Sequence, residues 1–278
     1  MSIITISHEA FGDGRAVAER VAAILGYRCI SREVLVKASQ RYGIAEAKFF
    51  EILEEKPHHW WAQWLESRGV YRIVLQAALC ELAQEGNLVY HGRAGQELFP
   101  GIRHVLNVFV DTPREARLQQ VKTRKGLGEE AANEYLDELD KIRARRLKEL
   151  FNIDWRDPTR YDFVLNTARM SAETAARFIA EVSQHEEYRP TAESLQALKD
   201  LTVNARVQAL LVTSPDIRIS DLEVRTEHGE VHISGILVSA GLKRLIADEV
   251  KKVSGVLGVK TYFAVIPPEH SMYIDEGR

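Results

Sequence analysis

The chain has 278 residues, long enough for two domains and a sizeable core. Hydrophobic residues make up 45% and charged residues 28%, a balance that excludes global disorder. A net charge of -3 gives no reason to expect nucleic acid as a partner.

Ile3-Ile4-Thr5-Ile6 is a β-branched run that predicts a buried strand, and Val17, Val21, Ile24 and Leu25 follow at helical spacing. Between them lies a short loop with Gly12 and Gly14. Strand, glycine loop and helix is the layout of a phosphate-binding loop, in which backbone N–H groups and the helix N-terminus face an anion. It is equally the layout of an ordinary strand-to-helix turn. A full phosphate-loop motif would carry a lysine and a hydroxyl here, whereas Arg15 follows Gly14 and Ala16 cannot hold a metal. The first strand begins almost at Met1, and no stretch approaches the roughly 20 apolar residues of a membrane helix. A cytoplasmic protein without a membrane span is therefore expected. Cys29 and Cys80 lie far apart with no C-x-x-C spacing, against a disulfide framework or a cysteine metal site.

Tyr27–Ile30 predicts a second strand, and Ser31-Arg32-Glu33 a cap for a helical segment running to about Leu65. His58-His59-Trp60-Trp61 with Trp64 reads as an aromatic packing or dimer patch, so a homo-oligomer is one possible assembly. Adjacent histidines do not share a helix face, and no metal site is assigned to them. Val70–Ala83 is helical, Asn87–Tyr90 is a strand leading into His91-Gly92-Arg93-Ala94-Gly95, and Val105–Val110 is a further apolar strand. Pro113 suits the first position of the charged helical segment from Arg114 to about Phe151. Phe163–Leu165 is another strand, and Ser171 caps a helix to about Ser183. Apolar strands alternating with helices indicate a parallel sheet covered on both faces. Its ligands bind beyond the carboxyl ends of the strands, where the glycine loop, Arg93 and the segment after Asp111 converge.

Residues 185–191 read as a polar linker, which divides the chain into 1–184 and 192–278. The second part predicts a helix from Ala192 to Val212, a hairpin (Leu222–Thr226 and Val231–Gly235), a helix from Ala240 to Val253 and a strand from Lys260 to Ile266. That is a small open-faced α/β sandwich followed by a short tail.

Gly92-Arg93-Ala94-Gly95, Phe99-Pro100, the strand to Asp111, Glu115-Ala116-Arg117 and Asp137-x-x-Asp140-x-x-Arg143 occur in the order of the cytidylate kinase pattern. Ile4–Ala18 aligns without a gap to I-T-I-S-R-E-Y-G-S-G-G-R-E-I-A. Asp154-Trp155-Arg156-Asp157-Pro158 through Tyr161-Asp162-Phe163-Val164-Leu165-Asn166-Thr167 matches D-W-x-D-P-x-x-Y-D-L-V-L-N-T. On these segments, residues 1–183 resemble the cytidylate kinase-like family. Residues 192–266 resemble the BON domain, through Val224–Gly235, Lys243, Ala247 and Val253-x-Gly255-Val256-x-x-Val259. The resemblance implies an α/β P-loop NTPase-like parallel sheet with flanking helices, plus a small C-terminal α+β domain.

It also implies a nucleoside monophosphate kinase-like phosphotransferase, with ATP as donor and CMP or a related nucleotide as acceptor. Gly12, Asp13, Gly14, Arg15 and Ala16 would form the ATP phosphate loop. Arg93, Asp140 and Arg143 would bind substrate, and Arg15 and Arg143 would serve catalysis. Arg124, Arg145 and Arg146 are lid candidates from two basic clusters, Lys122–Lys125 and Lys141–Lys148. Phosphoryl transfer runs on positioning and charge neutralisation, for which paired arginine forks suit phosphate oxygens. Mg2+ is implied, with Asp13 a carboxylate that could hold it through water.

The chain departs from the pattern at several places. Phe11-Gly12 replace Gly-Ser, Gly14 stands at the lysine position, Ala16 at an acidic or hydroxyl position, and His8 and Ala94 replace arginine and aspartate. Arg15 is the loop's cation, and the departures favour binding over efficient turnover. The alternative is a nucleotide-binding sensor or interaction protein that lost the chemistry. A lipid-surface adaptor would rest on the BON resemblance alone, and the ligand of that domain is not readable.

Overall fold

The computed structural model describes residues 2–45 and 69–266. The His58–Trp64 cluster, and the expected helix around it, lie outside the described residues. Among the described residues no helix is long and apolar enough to cross a membrane.

Five strands, β1 (Ile3–His8), β2 (Arg28–Ile30), β3 (Leu88–His91), β4 (Val105–Asp111) and β5 (Phe163–Asn166), form one parallel sheet in the order β2-β3-β1-β4-β5. β1 is central, with Ile3 opposite Leu88 on one side and Val105 on the other. Side chains alternate across a strand. Ile4 and Ile6 therefore pack with α1 (Gly14–Leu25) and its neighbour helix 172–182, while Ile3 faces α2 (Glu33–Tyr42) and α3 (Val70–Gln84). Burial on both faces is why β1 reads as an unbroken apolar run, each isoleucine contributing about 2 kcal/mol of burial.

The charged segment after β4 is not one helix. α4 (Arg114–Lys125) closes at Gly126, whose left-handed backbone (φ 68°) places its N–H on Lys122 O at 2.9 Å. α5 (Glu129–Phe151) then folds back on it around a small core of Val121, Ala132 and Leu136. Pro113 sits one position earlier than expected, as the residue flanking α4. Ser171 caps α6 (Ala172–Val182) as the sequence predicts, accepting from Thr174 N–H at 3.1 Å. At α2 the flanking residue is Arg32, and Glu33 instead reaches back to Ser31 N–H at 2.6 Å.

The C-terminal unit comprises α7 (Ala192–Thr213), β6 (Ile219–Glu227), β7 (Glu230–Leu237), α8 (Leu242–Lys251) and β8 (Gly258–Val265). β6 and β7 are antiparallel, and β8 adds parallel to β7. The hairpin turn is left-handed at His228 and Gly229 (φ 48° and 78°), and the Asp200 carboxylate accepts both of their N–H groups at 2.9 Å.

α7 belongs to two cores. Leu198, Ala205 and Ala209 pack into the core that holds α3, while Val203, Val207 and Leu211 form the core of the small sheet. Arg206 spans the junction, donating from Nε to the buried Glu81 at 2.7 Å and from Nη1 to Ser254 O at 3.1 Å. At its start α7 carries a capping box of Thr191 and Ser194, and Ser194 Oγ lies 2.9 Å from Nδ1 of the buried His104.

Candidate functional site

Because the five strands are parallel, their carboxyl ends place residues 9–13, 31–32, 92–94, 112–113 and 167 on one rim. The glycine loop leads from β1 into α1. Gly12 N–H donates to Glu9 O at 3.3 Å, Asp13 N–H donates to Thr112 Oγ1 at 3.1 Å, and Phe11 is left-handed with φ 59°. Asp13 makes no side-chain cap, and Val17 N–H bonds Asp13 O at 2.9 Å. The amides of Gly14, Arg15 and Ala16 thus stand at the open, positive end of α1. The glycines are needed for space. A Cβ on Gly12 would meet Thr112 Oγ1 at 2.6 Å, and one on Gly14 would meet His8 Cγ at 2.2 Å.

A cleft of about 640 Å³ opens beside this loop, lined by His8 and Arg15 with Ser31, Tyr71, Tyr90, Arg93 and Arg143. Arg143 is 6% exposed and its guanidinium lies 5.0 Å from the Trp155 ring centroid. Its buried Nε and Nη1 have no hydrogen-bond partner among the described residues. Burial, then the charge of Arg93, pushes its pKa down to about 9. His8 is half-buried, with Nδ1 2.9 Å from Glu9 O and its ring 5.9 Å from that of His91. Burial, then Arg143, pushes the His8 pKa down to about 4, so the ring is neutral at neutral pH. Arg15, Arg32, Arg93 and Arg143 outnumber Glu19 and Glu33 in the cleft wall, a balance complementary to an anion, and the guanidinium fork suits phosphate oxygens.

A second cleft of about 560 Å³ lies on the far side of the loop, with Glu9, Asp111, Arg114, Arg117, Asp140 and Arg156 in its wall. Arg117, 2% exposed, grips Asp140 with both Nη groups (2.9 and 2.6 Å) and donates from Nε to Ala10 O at 2.8 Å. Arg156 reaches the same carboxylate at 3.1 Å and Glu9 Oε1 at 3.4 Å, and it covers Trp155 at 5.0 Å. Burial would raise the Asp140 pKa, but the hydrogen bonds and charge of Arg117 hold it below the usual range. At Glu9 burial prevails and raises it, against the Thr112 N–H that donates to Oε2 at 2.9 Å.

The structure brings Arg15, Arg93 and Arg143 to one cleft. Arg15, however, is 75% exposed at its side chain and bonds Glu19 at 2.8 Å, on the side of the loop that faces this cleft. Asp140 does not join them, because Arg117 and Arg156 hold it on the second cleft. Arg124, Arg145 and Arg146 line neither cleft. Arg124 is exposed on the last turn of α4; Arg145 lies 4.0 Å from Glu149; Arg146 turns inward to Glu149 at 2.8 Å because its position faces the α5 core side. Sequence reasoning assigned no role to His8, Glu9, Arg117, Trp155 or Arg156. The Glu-Ala-Arg and Asp-Trp-Arg segments contained three of these residues, but nothing in them signalled partners more than a hundred positions away.

A glycine loop at the end of the central strand of a parallel sheet, with arginines converging beside it, defines a P-loop kinase-like protein. Residues 3–169 match the model of the cytidylate kinase-like family, and residues 199–267 match the BON domain. The chain belongs to the cytidylate kinase-like family and carries a C-terminal BON domain. It is 32% identical to a cytidylate kinase of Methanopyrus kandleri over 178 residues, covering 61% of this chain and 86% of that one. A cytidylate kinase of Ignicoccus hospitalis is 26% identical over 180 residues, covering 64% and 97%. An uncharacterized protein from Eubacterium ventriosum shares the fold, with a TM-score of 0.51 and 19% identity, over 67% of this chain and all of that chain.

Proposed function

We propose that this chain is a nucleoside monophosphate kinase-like phosphotransferase that uses ATP as donor and CMP or a related nucleotide as acceptor. The observation that carries this reading is Arg143, a buried guanidinium with two unpartnered nitrogens beside Arg93. An orphaned buried cation is costly, and an acceptor phosphate would satisfy it. Arg93 and Arg143 would hold that phosphate, and the open amides of α1 would receive the donor's phosphates. Arg15, at the mouth of the same cleft, would swing from Glu19 to neutralise charge on the group in transfer.

Mg2+ would screen the donor phosphates when bound, retaining several waters and one or two carboxylates. Ala16 supplies no hydroxyl, and among the described residues no three His, Cys, Asp or Glu side chains cluster for a metal. Asp13 is the loop carboxylate that fits an outer, water-mediated contact. The BON domain is read as a regulatory or assembly module of a cytoplasmic protein, supported by α7 sharing both cores.

A second reading, a nucleotide-binding sensor without turnover, is favoured by Gly14 at the lysine position, packed against His8, and by the solvent exposure of Arg15. Incubation with ATP, Mg2+ and each ribonucleoside monophosphate, with ADP formation and calorimetric binding measured, separates the two. ADP release that disappears in Arg15→Ala supports transfer; binding without ADP supports the sensor; neither binding nor ADP removes both.

A further inference from the structure

Phe11 is a bulky residue in the left-handed region (φ 59°), a conformation such residues rarely adopt unless the surroundings impose it. What imposes it is the hairpin of α4 and α5. The Phe11 ring meets that of Tyr135 edge-on at 6.0 Å and packs against the hairpin core of Val121, Ala132 and Leu136. The loop residues on either side are tied to the base of the same hairpin. Ala10 O accepts from Arg117 Nε at 2.8 Å, and Asp13 N–H donates to Thr112 Oγ1 at 3.1 Å. Ala10 is thus tied to α4, Phe11 to α5 and Asp13 to the segment that leads into α4.

α5 is also the helix that carries Arg143 into the acceptor cleft, eight positions beyond Tyr135 and about 12 Å along the same rod. A tie at Tyr135 therefore reaches the acceptor arginine about two turns further along the same rigid helix. We propose that Phe11 is a positioning residue whose ring makes the phosphate loop and α5 one mechanical body, so that filling the loop sets the place of Arg143. The inference rests on reading residues 12–16 as a phosphate loop. It adds that donor occupancy and acceptor binding are coupled through Phe11.

The test uses the full chain and amide hydrogen exchange, in two arms. Without ligand, Tyr135→Ala speeds exchange of the amides of residues 10–14 by about tenfold, in the range of coupling between linked sites, while the exposed control Glu138→Ala leaves them unchanged. With ADP, exchange of residues 139–147 slows in the wild type and in Phe11→Tyr, which keeps the ring. In Phe11→Gly, which takes the left-handed backbone without strain, ADP still binds but that slowing is lost. A structural role alone would not remove a ligand-induced change while sparing ligand binding. Loop amides indifferent to Tyr135→Ala, or ADP protection of residues 139–147 retained in Phe11→Gly, would overturn the proposal. Should the wild type bind no ADP, the phosphate-loop reading fails, and the ligand-free arm alone decides whether loop and helix are coupled.

Discussion

Gly14 lies directly against His8: a Cβ on Gly14 would stand 2.2 Å from His8 Cβ and Cγ. The family's lysine position is therefore closed by His8, which is fixed in place because it ends the central strand while Gly14 opens α1. Gly14→Ala is expected to cost about 2 kcal/mol, the usual penalty of overpacking, and to weaken ADP binding. Adding His8→Gly recovers most of both, and Gly14→Lys is tolerated only in that background. Urea denaturation of the single and double variants checks this; additive losses would show that the contact is not the obstacle.

Arg143→Met separates stability from binding. The substitution removes a buried cation lacking hydrogen-bond partners at Nε and Nη1, and forfeits its stacking on Trp155. The first effect outweighs the second, so stability holds or rises by about 1 kcal/mol. Acceptor affinity falls at least about tenfold, the loss of a charge-assisted phosphate contact. Thermal melts and calorimetry on the same samples give both numbers.

Asp140→Asn behaves in the opposite way. Arg117 is 2% exposed and both its Nη groups bond Asp140, so the variant leaves a buried charge with only the more distant Glu9, 3.7 Å away, as counterion. A loss of about 3 kcal/mol is expected from chemical denaturation, with the loop loosened through Arg117 and Ala10. A variant as stable as the wild type would show that Arg156 and Glu9 suffice to hold the cluster.

Acid should destabilise the fold before carboxylates titrate. The folded His8 pKa, pushed from 6.5 to about 4 by burial and Arg143, lies below that of the unfolded chain. The unfolded state therefore binds the proton first as pH falls. The stability tied to neutral His8 is complete above pH 6.5 and lost toward pH 4, by at most about 3 kcal/mol. Burial shifts His91 and His104 in the same direction. A denaturation series between these pH values checks the slope, and His8→Asn reduces it, leaving the share of His91 and His104.

Much of this fold was legible in the residues because periodicity reports burial. Ile3–Ile6 declared a strand covered on both faces, and Val17, Val21 and Leu25 declared the helix after it. α7 was harder. Leu198, Ala205 and Ala209 serve one core and Val203, Val207 and Leu211 another. Two stripes on one helix look like a single broad one until the partners are known. Arg93 and Arg143 were singled out through motif order, and both line the first cleft. The ion cluster of Glu9, Arg117, Asp140 and Arg156 was not, because it joins β1, α4, α5 and the segment after α5 through tertiary contacts alone. Arg15 was expected at the donor phosphates for want of a lysine, and side-chain direction, which sequence does not fix, turned it toward Glu19.

The central claim is that the cations around Arg143 hold an acceptor phosphate. Calorimetric titration of CMP and the other ribonucleoside monophosphates into wild type and Arg143→Met tests it most directly. The account predicts binding of at least one of them to the wild type, weakened at least about tenfold in a folded Arg143→Met. Binding undiminished in the variant, or no monophosphate bound by the wild type, would contradict it.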